Sequence, residues 1–165
     1  MKNENIIKNL RLEYIKEEHY EDISKIYNYY IVATTYLYET EPLSYKQVIE
    51  KLQLKNKSTI GFTIFHMNKI CGFCLLRPFY HEETNLNVYQ VSIYLNKNYV
   101  GKGIGTYALK YLENEAIKSG IKNIIASISS ENETSINFFQ RNGYTKCGHF
   151  KNMGYKFGRK IDNIY

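Results

Sequence analysis

The alternation of Leu10, Leu12 and Tyr14 with Arg11 and Glu13 predicts a strand over residues 10–15. The period then lengthens. Ile23, Ile26, Tyr27, Tyr30 and Ile31 fall at i, i+3, i+4, i+7 and i+8, which predicts a helix over 20–32. Pro42 closes the aromatic and acidic stretch 35–41, and Ser44 is placed to cap a second helix running to Leu54. Residues 59–66 and 69–76, joined at Met67-Asn68, predict a β-hairpin. The polar stretch 77–87 reads as a loop, and 88–95 as a strand. The clearest helix is 104–118, with Ile104, Tyr107, Ala108, Tyr111, Leu112 and Ala116 on one stripe and Gly120 as its stop. Beyond it, 122–128 predicts a strand and 132–141 a short helix with Ile136 and Phe139 inward. Residues 144–150 and 155–164 predict two terminal strands.

Strands and helices mixed in this order, with no repeat, linker or low-complexity tail, predict one α/β domain over 1–165. The 44% hydrophobic and 23% charged residues fit an ordinary globular chain. No apolar run approaches the roughly 20 residues of a membrane span. The first ten residues lack the apolar core and cleavage site of a signal peptide, so a cytoplasmic protein is expected, with no membrane partner. The net charge of +6 suits either an acidic partner or a lysine-rich solvated surface. The basic residues are scattered and form no stripe with aromatics, so no nucleic-acid partner is expected. Cys71 and Cys74 form a C-x-x-C, but in a strand residues three apart point to opposite faces. With Cys147 alone elsewhere, ordinary reduced thiols and no metal site are expected.

The chemistry concentrates in 91–106, where a strand runs into a glycine-rich turn that opens an amphipathic helix. Gly101, Gly103 and Gly105 let backbone N–H groups approach a bulky anion, and the helix N-terminus adds partial positive charge. The spacing lacks the Lys-Ser/Thr end of a nucleoside triphosphate loop. It also differs from G-x-G-x-x-G and sits mid-chain, which disfavours a dinucleotide fold. A tight strand-to-helix connection without a ligand is the plainer alternative.

Val100-Gly101-Lys102-Gly103-Ile104-Gly105 resembles the R/Q-x-x-G-x-G/A pyrophosphate motif of the GNAT acetyltransferases, with Val100 in place of Arg or Gln. Asn132, Ser135, Phe138, Phe139, Gly143 and Tyr144 then resemble that family's N-x-x-A/S-x-x-L-Y-x-x-x-G-F/Y, with Phe139 in place of Tyr. The 36–42 stretch and the tail 148–162 resemble the phosphinothricin/methionine sulfoximine acetyltransferase branch, with Lys160 in place of Trp. The resemblance implies an α/β (α+β) GNAT fold: a central mixed, mostly antiparallel twisted sheet of about six or seven strands flanked by about four helices. It also implies acetyl-CoA as cosubstrate, a small-molecule amine as acceptor, and a homodimer.

The resemblance further implies contacts to the cofactor from Tyr94, Val100–Thr106, Asn132, Ser135 and Phe139. Within 100–106 those residues are Val100, Gly101, Lys102, Gly103, Ile104, Gly105 and Thr106. The family's general base falls on Gln90, which cannot accept a proton, and its thiolate-protonating Tyr falls on Phe139. Backbone N–H groups near Ile93 and Leu95 would polarise the acetyl carbonyl. An acceptor amine with a pKa near 10.4 is neutral in only about one molecule in 10³ at pH 7, so a base would help. Glu39 or Glu41, through a water, could substitute for Gln90, and His81 is a weaker candidate. Tyr38, Arg77, Lys156 and Arg159 are candidates for the acceptor, the last three as cations for an α-carboxylate. Open alternatives are a peptide N-terminus, polyamine or aminoglycoside acceptor, and a CoA-binding module with little catalysis.

Overall fold

The computed structural model describes residues 6–79 and 87–165. Strand β1 is Leu10–Tyr14; helices α1 (Tyr20–Ala33) and α2 (Tyr45–Lys51) follow. Ser44 caps α2 through Gln47 in a reciprocal box, and the helix is shorter than the sequence suggests. Strands β2 (Ile60–His66) and β3 (Lys69–Pro78) form the expected hairpin. Met67 and Asn68 have φ of 49° and 63°, the left-handed pair that matches strand twist in a two-residue turn. The expected loop at Arg77 is corrected: β3 continues through Arg77 and Pro78, which pair with Gln90 and Tyr89.

Strand β4 (Val88–Leu95), helix α3 (Ile104–Lys118) and strand β5 (Asn123–Ala126) form a β-α-β unit, and among the described strands only the β4–β5 ladder is parallel. The expected strand 122–128 breaks at Ser127. Beyond the break, β6 (Ile128–Ser129) joins a second sheet, and α4 (Glu133–Arg141) follows. The described strands therefore form a five-stranded sheet, β1-β2-β3-β4-β5, and a three-stranded one, β6-β8-β7. The terminal pair also differs from expectation. β7 is His149–Lys156 and β8 is Arg159–Ile164, turning at Phe157-Gly158. Residues 151–154, between the two expected strands, belong to β7 as an irregularity in its pairing, where Asp162 accepts the Asn152 N–H at 2.8 Å.

Alternation puts two clusters on opposite faces of the large sheet. Cys74, Leu76, Val91 and Leu95 pack with α3 residues Ile104, Ala108, Leu109 and Leu112. Phe73 and Leu75 pack with Ile23, Tyr27 and Ile31 of α1 and Val48 of α2. Cys71 departs from the alternation expected of the C-x-x-C. The β2–β3 register skips it, so the bulge places both Cys71 and Cys74 in the α3 cluster. Both thiols are buried, and burial pushes the Cys71 thiol up to about 11 and Cys74 further in the same direction. No cluster of metal-binding side chains occurs among the described residues, nor any helix long and apolar enough to cross a membrane.

Candidate acyl-transfer site

The site follows from a change of partner along β4. Its first half, Val88–Val91, pairs with β5 on one side and β3 on the other. Beyond Val91 only the β3 side is paired, because β5 ends at Ala126. The Asn96 N–H donates to the Cys71 carbonyl at 2.8 Å, so even-numbered residues of this segment turn their backbone groups towards β3. By alternation the N–H groups of Ile93 and Leu95 face the open side. The Leu95 carbonyl on that side accepts the Tyr30 hydroxyl at 2.6 Å.

Two adjoining cavities of about 370 and 350 Å³ form a cleft along this open edge. The first is walled by Gln90, Ser92, Tyr94, Thr34 and Tyr36, and by Asn132 at the head of α4. The second is walled by Gly101, Gly103, Gly105, Thr106, Phe138 and Arg141. Tyr30, Ile93, Val100, Thr134, Ser135 and Phe139 line both.

The glycines of the turn serve different ends. Gly101 and Gly103 have φ of 77° and 83°, a region that L side chains rarely occupy. Gly105 sits where a Cβ would approach Phe138 of α4 to 3.3 Å, so it allows the two helices to close together. The first α3 backbone bond runs from Tyr107 N–H to the Gly103 carbonyl, and no side chain caps this end. The N–H groups of Ile104, Gly105 and Thr106 are thus without helical acceptors, beside the second cavity. The Ile104 side chain is fully buried in the core, so only its backbone can serve the cleft. Lys102 lies over the Tyr99 ring at 5.4 Å and lines neither cavity. Asn132 accepts the Ser135 N–H at 3.0 Å, which orders the first turn of α4. Phe139 packs edge-on against Phe138 and Tyr144 at 5.0 Å each and offers a ring but no proton.

The other sequence candidates stand outside the two cavities. Glu39 is ion-paired with Lys51, and Glu41 is exposed on the loop before α2. Arg77 donates to the Lys51 carbonyl at 2.7 Å. Lys156 is buried, and its ammonium donates to the carbonyls of Ile31 and Leu37; burial lowers its pKa. Arg159 is bidentate to Glu131 at 2.7 and 2.8 Å, and Glu131 also accepts the Thr35 hydroxyl at 2.6 Å. The hydrogen bonds from Arg159 and Thr35 hold the Glu131 carboxyl down at about 2. Tyr38 donates to Asn163 at 3.2 Å and lies across Gly154, where a Cβ would clash with its ring. His81 lies outside the described residues.

Sequence reasoning missed Tyr30, Tyr36 and Thr34 as cleft residues. Tyr30 belongs to the helical stripe that reads as core, and nothing local distinguishes a core ring from one that walls a cleft. Burial raises the Tyr30 pKa despite its bond to Leu95. The Tyr94 ring turns to the α1 face and stacks on Phe73 at 5.1 Å; burial pushes it up to about 12. No Asp, Glu or His is among the described residues that line the cleft.

A cleft at a splayed parallel strand pair, with uncapped backbone donors on one side, suits an elongated ligand with a pyrophosphate. Residues 23–144 match the acetyltransferase (GNAT) family, and the chain belongs to it. It is an N-acetyltransferase and uses acetyl-CoA, as the enzymes of that family do. It is related to the phosphinothricin and methionine sulfoximine acetyltransferases. The phosphinothricin N-acetyltransferase of Streptomyces coelicolor is 23% identical over 152 residues, 88% of each chain. The L-methionine sulfoximine/L-methionine sulfone acetyltransferase of Pseudomonas aeruginosa is 35% identical over 71 residues, 43% of this chain and 41% of that one. The solved phosphinothricin acetyltransferase of Sinorhizobium meliloti, in complex with AcCoA, superposes with a TM-score of 0.86 at 22% identity over 94% of this chain and 85% of that one. The N–H groups of Ile104–Thr106, the positive-φ glycines and the open N–H groups of Ile93 and Leu95 fit acetyl-CoA. They are backbone donors set along or beside the two adjoining cavities.

Proposed function

We propose that this chain acetylates the primary amine of a small amino-acid-like acceptor, of the phosphinothricin or methionine sulfoximine type. The carrying observation is the first cavity: hydroxyl and amide groups and Lys97 line it, and no described carboxylate does. A polyamine would need carboxylates there; an acceptor that carries its own anion would not. The kinship with enzymes named for such acceptors supports the same reading. The exposed apolar side chains of Phe150, Met153, Tyr155 and Phe157 along and just beyond β7, an edge strand of its sheet, support a homodimer. Three unpaired cysteines support a reducing, cytoplasmic setting for one domain over 1–165.

Acetyl-CoA supplies an activated acetyl thioester. The N–H groups at the head of α3 hold its pyrophosphate, with Asn132 and Ser135 across the cleft. The N–H groups of Ile93 and Leu95 are the donors that polarise the acetyl carbonyl. Gln90 lies at the acceptor end but cannot take the amine proton. With Gln at that position, the acceptor reaches its neutral form by losing a proton to water. Positioning then contributes most of the acceleration.

A panel of methionine sulfoximine, phosphinothricin, spermidine and an aminoglycoside, assayed for thiol release across pH, tests this. The two amino-acid-like acceptors should turn over and spermidine should not. The rate should rise about tenfold per pH unit below the acceptor's own pKa. Gln90→Glu should add an enzyme ionisation to that profile. Preference for spermidine would reject the acceptor class, and a pH-independent wild-type rate would reject the proton path.

A further inference from the structure

With the cofactor in the second cavity and the acceptor in the first, as proposed above, the acetyl group passes between them where the two cavities meet. Of the side chains that line both halves, Tyr30 and Phe139 carry the rings that narrow the junction. They arrive from opposite sides. Tyr30 comes from α1 and packs with the cluster under that helix; Phe139 comes from α4 and packs with the α3 cluster.

Tyr30 is fixed at both ends. Its hydroxyl donates to the Leu95 carbonyl at 2.6 Å. Its ring is edge-on to Tyr29 at 5.4 Å and Tyr94 at 5.5 Å, and stacks with Tyr36 at 6.3 Å. A ring tied to the strand edge and flanked by three others cannot swing aside for a longer ligand without breaking the tie. The edge it is tied to is the one whose Ile93 and Leu95 N–H groups face the cleft.

We propose that Tyr30 is the specificity-determining residue for the acyl group, its ring setting the limit at acetyl. This rests on acetyl-CoA use and not on which amine is the acceptor. A butyryl group adds two methylenes at the junction, and it must either displace the ring or sit out of register with the Ile93 and Leu95 donors. One methylene too many in a fitted pocket is worth about tenfold or more in discrimination.

The test is calorimetric binding of acetyl-CoA and butyryl-CoA to the wild type, Tyr30→Phe, Tyr30→Leu and Tyr30→Ala, without any acceptor. Thermal melts report folding. The wild type should bind acetyl-CoA about tenfold or more tightly than butyryl-CoA. Tyr30→Ala should shift that ratio about tenfold towards butyryl-CoA, and Tyr30→Leu, which keeps apolar packing on α1, should shift it in the same direction. Tyr30→Phe keeps the ring among its three neighbours but loses the tie to Leu95, so it should shift the ratio in the same direction by clearly less than Tyr30→Ala. An unchanged ratio in a folded Tyr30→Ala or Tyr30→Leu would overturn the proposal. So would a Tyr30→Phe ratio as relaxed as that of Tyr30→Ala, since the tether and not the ring would then set the limit. Failure of the acceptor reading would show only in the thiol-release panel and leave these ratios untouched.

Discussion

The two halves of the cleft are built by different means. The backbone donors beside the second cavity are local: β4, the glycine turn and the head of α3 are consecutive in the chain, while α4 and Tyr30 supply the facing wall. The first cavity, proposed above for the acceptor, is held in place by contacts between residues far apart in the chain. Thr35 reaches Glu131, 96 residues away, while Lys156 reaches Ile31 and Tyr38 reaches Asn163, each across 125 residues. Lys156 also donates to the Leu37 carbonyl, and Glu131 is held by Arg159, so residues 31–38, which bring Thr34 and Tyr36 to the cleft, are fastened to the β7–β8 hairpin, Thr35 by way of Glu131. A backbone site tolerates side-chain change but not a change of backbone angle. A side-chain site has the opposite sensitivity, and its geometry can vary while the fold is kept.

The largest effect should come from breaking the backbone half. Gly103→Val puts a β-branched residue at φ of 83°. Such strain costs about 1–3 kcal/mol, and relieving it flattens the turn. Calorimetry should show acetyl-CoA affinity falling about tenfold or more. Unchanged affinity in a folded variant would move the pyrophosphate site elsewhere.

Lys156→Met should break the acceptor half instead. It leaves the carbonyls of Ile31 and Leu37 without their donor, a loss of about 1–3 kcal/mol and several degrees of Tm. The KM for the acceptor should rise, while acetyl-CoA affinity, set at a separate place, stays within about twofold. Equal losses for both ligands would show that the two halves are not separable.

The smallest effect should come from Glu131→Gln. The carboxyl is held at about 2 when folded, below the ordinary value of 4.5, so its stabilisation is full above pH 4.5 and is lost as pH falls towards 2. The pair with Arg159 is solvent-accessible, and a Tm loss of only about 1–3 °C is expected at pH 7. The gap between wild-type and Glu131→Gln melts should narrow through acid pH and close near pH 2. A gap that widens there would mean that the Thr35–Glu131–Arg159 bridge does not act through the ionised carboxylate.

The legibility of the fold follows the same division. The bounds of β4 and α3 are read correctly from pattern because period and capping are properties of neighbours. The β5–β6 break at Ser127 and the bulge inside β7 are not, since both depend on which strand lies alongside. The C-x-x-C shows this most sharply. Alternation separates the two thiols, and a register slip against β2 brings them into one cluster. Of the acceptor candidates, Lys156 and Arg159 look in sequence like free cations for a carboxylate. Their partners, two backbone carbonyls and Glu131, are far along the chain.

The sequence by itself determined the order of most elements and the glycine turn with its helix N-terminus. Each depends on residue identity and on spacings of a few residues, where covalent geometry leaves little freedom. Only the tertiary structure decided that Tyr30 walls both halves of the cleft, that Lys156 is enclosed, and that Glu131 bridges Thr35 to Arg159. Those facts depend on contacts across the chain, and a side chain's role there is set by what folding brings against it.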